Sequence, residues 1–150
     1  MGTDIRIHVE YLDCKTKQYT HANEDFRRDR CYLLFDLLGG GRGNKNPLYY
    51  PRGLPGDLSD ETLRCYKYGE SEFHHASWLT TMEFRECLDA FYETPKEDNI
   101  PEDLSQKLDS IMHDLPSRPD PMICYEQIYC YMKSSDDDGE PSRIVFWFDN

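Results

Sequence analysis

The sequence predicts a single α+β domain over residues 1–150, in which a small antiparallel or mixed sheet, including an N-terminal hairpin and the C-terminal strand, packs against four to five helices. Three observations carry this expectation. Residues 4–11 alternate apolar and polar side chains, residues 144–148 form a short uninterrupted apolar run, and the chain between them holds several segments of helical spacing. A chain of 150 residues has the common size of one domain and can bury roughly 70% of the surface its unfolded form exposes.

In the first strand Ile5, Ile7, Val9 and Tyr11 point one way and Asp4, Arg6, His8 and Glu10 the other, the pattern of a strand with one buried side. Asp13-Cys14-Lys15-Thr16 reads as a loop and residues 17–22 as the returning strand of a hairpin. From Asp29 to Leu38 the apolar residues Cys31, Leu34, Phe35 and Leu38 follow helical spacing, and Gly39-Gly40-Gly41 ends the helix where left-handed backbone is wanted. Residues 39–56 contain six glycines, three prolines and no periodicity, so they form a long loop. Asp57-Leu58-Ser59 opens a short helix that runs to Tyr68 and stops at Gly69, and residues 70–78 read as irregular.

Thr80 and Glu83 make a capping box, and Phe84, Cys87, Leu88 and Phe91 supply the apolar stripe of a helix that stops before Pro95. Pro101 fits the first turn of another helix, with Leu104, Leu108, Ile111, Met112 and Leu115 inward. Asp120-Pro121 starts a further helix marked by Cys124, Ile128, Tyr131 and Met132, although this composition also suits a strand. Residues 134–142 read as a solvated acidic turn. The run from Ile144 to Phe148 predicts a strand buried on both faces, central in the sheet and beside the N-terminal strand.

Charge narrows the partners. With 17 basic and 29 acidic residues the net charge is −12, which repels long nucleic acid and anionic membrane surfaces. The six cysteines form no CxxC pair, and Cys31, Cys87 and Cys124 fall on apolar helix faces, so free thiols are expected rather than disulfides or zinc. No basic segment followed by an apolar one opens the chain, and no stretch has the length of a membrane span, so a cytoplasmic protein is the expectation.

Several segments together resemble a known family. The opening Met1-Gly2-Thr3-Asp4-Ile5, the closing Phe148-Asp149-Asn150, and between them Arg30 to Leu38, Pro51-Arg52-Gly53-Leu54-Pro55 and His75 to Leu79 are similar to a family of bacteriophage and prophage proteins of uncharacterised activity. Members commonly begin M-G-x-D-I and end F-D-N. Many carry His directly after the opening motif, where this chain has Arg6, with His8 two residues on. The resemblance implies a phage setting, the cytoplasm of an infected host and a role against host defence; it brings no activity with it.

Three constellations are candidates for chemistry. Residues 39–56 hold Arg42, Lys45 and Arg52 and no acid, Tyr49 and Tyr50 offer flat rings, and Arg28 and Arg30 precede the neighbouring helix. In a chain this acidic, such a basic and glycine-rich stretch points to a small anionic, nucleotide-derived ligand. The plain alternative is that these arginines pair with the abundant carboxylates. The second constellation, Asp4, His8 and Glu10 with His74 and His75, has the residue types of a divalent-metal site that activates water, which would make the protein a phosphodiesterase or hydrolase. The third, His74-His75 with Ser77, lacks a GxSxG elbow and reads as the entry to the following helix.

The resulting expectation is a protein that binds and sequesters its ligand, with no catalytic residue and no cofactor called for, and with a homo-oligomer open to it. A third reading treats the acidic surface, with residues 134–140, as a module that docks on a basic protein.

Overall fold

A computed structural model describes residues 2–41, 47–94 and 120–150. Strands β1 (Asp4–Leu12), β2 (Tyr19–His21), β3 (Phe73–Thr80) and β4 (Ser142–Asp149) form one antiparallel sheet in the order β2-β1-β4-β3. The described helices are α1 (Tyr32–Gly39), α2 (Asp60–Tyr68), α3 (Thr81–Glu93) and α4 (Met122–Asp137). The α+β class and the inclusion of both chain ends in the sheet are as the sequence predicts, and β4 lies centrally beside β1. The helix expected over 101–115 lies outside the described residues.

One face of the sheet carries the apolar core. Register pairs Ile5 with Phe148, Ile7 with Phe146 and Val9 with Ile144, so these side chains form one sheet of hydrocarbon. Leu34, Phe35 and Leu38 of α1, Phe84 and Leu88 of α3, and Ile128 of α4 pack on it, all fully buried. Each such side chain contributes roughly 1.5–3 kcal/mol by leaving water. Helix α1 ends at Gly40, whose φ of 70° returns its N–H to the Asp36 carbonyl. A Cβ on Gly41 would stand 2.7 Å from the Phe148 ring, so the glycine run also lets the backbone pass close to the sheet. Helix α3 begins with the predicted capping box: the Thr80 hydroxyl accepts from the Glu83 N–H, and the Glu83 carboxylate accepts from the Thr80 N–H. The Tyr125 hydroxyl donates to the Asp29 carbonyl and ties α4 to the segment before α1.

The opposite face departs from the expectation of a strand with one buried side. Glu10 is fully buried, and Arg143, its partner across β4, is 4% exposed. The Arg143 guanidinium donates to the Glu10 carboxylate from Nε at 3.0 Å and Nη2 at 2.8 Å, and from Nη1 to Asp57 at 2.8 Å. It also lies 3.4 Å over the Tyr19 ring. The other Glu10 oxygen accepts the Ser59 backbone N–H at 2.9 Å, just where Ser59 caps α2. Alternation in β1 shows two faces but not what lies over each. Here the chain leading into α2 covers the polar row and supplies the partners a buried ion pair requires.

Four further elements differ from expectation. Residues 70–78 are not irregular throughout: a single 3-10 turn at Glu70–Glu72 leads into β3. A bulge between His74 and Ser77, with His75 at φ 55°, breaks the period of two, which hides the strand from an alternation test. The returning strand is shorter than residues 17–22, since Lys17 at φ 59° and Asn23 at φ 55° bracket β2. Residues 134–142 are not one turn, because α4 continues to Asp137, helped by a Lys133–Asp137 ion pair of 2.7 Å, and Gly139 at φ 84° makes the turn. The helix expected from Asp29 begins later, at Tyr32.

Residues 122–137 are helical, as their spacing indicated. None of the six cysteines is in a disulfide, and Cys87 and Cys124 are buried and Cys31 half-buried. Among the described residues, no helix is long and apolar enough to cross a membrane.

Candidate functional site

The polar face of the sheet, away from the ion pair, opens into a cleft of about 500 Å³. That volume falls within the roughly 300–1,000 Å³ of small-molecule sites. Strand register builds it. Arg6 on β1 stands opposite Trp147 on β4, Glu10 stands opposite His21 on β2, and Phe73 starts β3 beside Asp149. His8 stacks on Trp147 with ring centroids 5.0 Å apart and 24° between planes. Phe73 packs on Trp147 at 5.5 Å, and Tyr66 of α2 meets the same indole edge-on at 5.0 Å. The floor is therefore a cluster of rings held by three strands and one helix.

Arg28 stands on this cleft and, among the described residues, has neither a hydrogen bond nor an ion pair. Arg6 lines it too, but its guanidinium is engaged with Asp149 at 2.9 Å. Burial, reinforced by His21 and the nearby Arg28, pushes His8 down to about 4, so its ring is neutral near neutral pH. The Trp147 Nε1–H is buried and finds no hydrogen-bond partner among the described residues, an arrangement that costs about 1–3 kcal/mol in a packed interior. Glu24 and Asp25 line the exposed rim.

Of the residues singled out in the sequence, the cleft gathers Arg28 and His8. Arg42 and Lys45 lie outside the described residues. Arg52 is committed within the molecule: it donates to Glu83 through both Nη1, at 2.8 Å, and Nη2, and to the Trp78 carbonyl, while lying over the Tyr49 and Trp78 rings. That pairing, chiefly, holds the Glu83 carboxyl down to about 2. The Tyr49 hydroxyl donates to Glu86, which pushes its pKa up to about 12. Tyr50 is 71% exposed. Arg30 grips both oxygens of Asp4, at 2.6 and 3.2 Å, and holds that carboxyl below its usual range. For Arg30 and Arg52 the plain alternative of carboxylate pairing describes the geometry.

The metal set is not brought together. Asp4 belongs to Arg30 and Glu10 to Arg143. His74 faces the other side of the sheet, opposite Phe148, with its Nδ1 2.6 Å from the Nδ1 of His75 in the bulge. Among the described residues, the three side chains close enough to share an ion are Asp13, Cys14 and Glu140, away from all of these.

Sequence reasoning missed His21, Phe73 and Trp147. A signal existed for Trp147. In an antiparallel pair of equal phase, the indole falls on the polar row of β1, which sets it apart from Phe146 and Phe148. The part played by Phe73 depended on finding β3. No protein-family model, no curated protein and no solved structure matches the chain.

Proposed function

We propose that the protein holds a small anionic, nucleotide-derived ligand in the Arg28 cleft without cleaving it. The observation that carries this reading is a guanidinium, that of Arg28, unpaired among the described residues and beside a floor of packed rings. Guanidinium recognises phosphate through paired hydrogen bonds, and a stacked aromatic floor accepts the flat face of a base. This relocates the ligand from the 39–56 loop to the sheet, keeping Arg28 and exchanging Tyr49 and Tyr50 for His8, Phe73 and Trp147 as the ring surface. The resemblance to phage proteins supports the purpose: a binder that does no chemistry lowers the free concentration of a host signalling molecule by mass action alone.

The test incubates purified protein with a panel of cyclic and ADP-ribose-derived nucleotides and follows free ligand by chromatography, before and after heat denaturation. Ligand should disappear and return unaltered. Arg28→Ala should weaken binding by about tenfold or more, the loss expected for a charge-assisted hydrogen bond. Ligand that returns altered indicates a hydrolase, and binding untouched by Arg28→Ala overturns the assignment of the cleft.

A further inference from the structure

Two imidazoles touch in the wall of the cleft. His21 Nε2 lies 3.0 Å from His8 Nδ1, and both rings line the cleft together with Arg28. Two nitrogens at that distance have room for one hydrogen between them, so the pair accepts one positive charge and not two. The other His21 nitrogen, Nδ1, has partners for either protonation state. The Asn23 backbone N–H donates to it at 3.0 Å, which suits a bare nitrogen. The Asn23 Oδ1 at 3.4 Å and a Glu61 carboxylate oxygen at 3.5 Å suit a nitrogen that carries a proton. Neither the neutral nor the charged ring leaves that nitrogen orphaned, so the balance falls to the charges around the pair. Strand β1 brings Arg6 and Glu10, already bound to Asp149 and Arg143. Helix α2 brings Glu61, with Cys65 and Tyr68 on the cleft, and β4 brings the uncharged Trp147 ring. The stretch after β2 brings Arg28, with Glu24 and Asp25 at the rim. Burial first, then His21 and Arg28, disfavour a positive charge on His8. An anion seated on Arg28 cancels the field of that guanidinium and adds a negative charge beside the pair.

We infer that the anionic ligand enters the cleft together with one proton from solvent, which the His8–His21 pair takes up and Glu61 helps to hold. This rests on the reading of the cleft as a site for an anionic nucleotide and adds what regulates its affinity. The coupling is reciprocal: if the ligand draws a proton onto the pair, a proton on the pair draws in the ligand. Affinity therefore rises as pH falls, across the window between titration of the pair in the free protein and its titration in the complex. Above that window neither form carries the proton, and below it both do, so affinity is level at either end. Within it each unit of pH is worth up to about tenfold.

Isothermal titration of the full chain with cyclic AMP, cyclic GMP and ADP-ribose tests the coupling. The phosphates of these probes carry no proton that titrates near neutral pH, so any pH dependence belongs to the protein. From about pH 7.5 to about pH 5.5 the Kd of a probe that binds should fall by about fivefold or more. Repeating the titration at about pH 6 in two buffers of different ionisation heat should show uptake of roughly half a proton or more per bound nucleotide. His21→Gln gives and accepts hydrogen bonds but takes no charge, and it should remove both the slope and the uptake. Glu61→Gln, at a half-exposed position that the fold tolerates, should reduce both. A constant Kd with no proton taken up, or a slope that persists unchanged in His21→Gln, overturns the proton coupling and leaves the cleft reading standing. If none of the three probes binds at any pH, both fall.

Discussion

On one side of the sheet Ile7, Phe146 and Phe148 meet Leu34, Phe84 and Leu88 of the helices, while on the other Glu10 and Arg143 grip each other under Tyr19 and His8 lies against Trp147. The first contact is non-directional and depends on volume and area. The second depends on where individual donors and acceptors point, because a buried polar group without a partner is costly. Function that needs oriented groups is therefore more readily built on the second face, and the cleft lies there. The ion pair beside it serves as a fixed anchor, joining β1, β4 and the start of α2 through Ser59 and Asp57.

This contrast can be broken most forcefully at Glu10. Glu10→Ala leaves the Arg143 guanidinium buried with its main partner gone and should destabilise the protein by about 3–5 kcal/mol in urea denaturation. Replacing both members, with Glu10→Leu and Arg143→Met, should recover most of that loss, since the charge that needed compensation is then absent. Failure of the double variant to recover would show that the pair contributes orientation that packing cannot replace. On the apolar face Leu88→Ala should cost about 2–5 kcal/mol, according to how far the surrounding side chains collapse into the void. Its cost should be insensitive to salt and pH.

The smallest effect separates the faces by pH. Burial holds His8 at about 4, against 6.5 for an unperturbed imidazole. Between those values the unfolded chain takes up a proton that the folded chain refuses, so stability rises with pH across the window. The contribution is whole above pH 6.5 and shrinks as pH falls towards 4, by on the order of 2–3 kcal/mol. Urea midpoints measured from pH 7 to pH 4.5 should show this slope in the wild type and a flatter one in His8→Phe. Glu83, held at about 2 chiefly by Arg52, loses its contribution only as pH falls below 4.5, so the two windows are distinguishable.

Elements whose side chains repeat at a regular interval were legible in advance. The apolar alternation of β1, the stripe of α3 with its Thr80–Glu83 box, and the uninterrupted β4 each state their own structure within one short window. Strand β3 was hidden because its bulge shifts the phase at His75. Half of the cleft shared that fate: Arg28 and His8 stood out by residue type, whereas Phe73 and Trp147 read as ordinary core and His21 as ordinary hairpin.

By itself the sequence determined the class of the fold, the central place of the C-terminal strand, the free thiols and the acidic charge, because each follows from local periodicity or from composition. Only the tertiary structure decided which cations are spent and which remain available. Arg30, Arg52 and Arg143 meet Asp4, Glu83 and Glu10 across separations of 26, 31 and 133 residues, while Arg28 meets no carboxylate among the described residues. An ion pair needs two groups within a few ångströms, and that proximity arises from strand register and helix packing, which no short window of sequence contains.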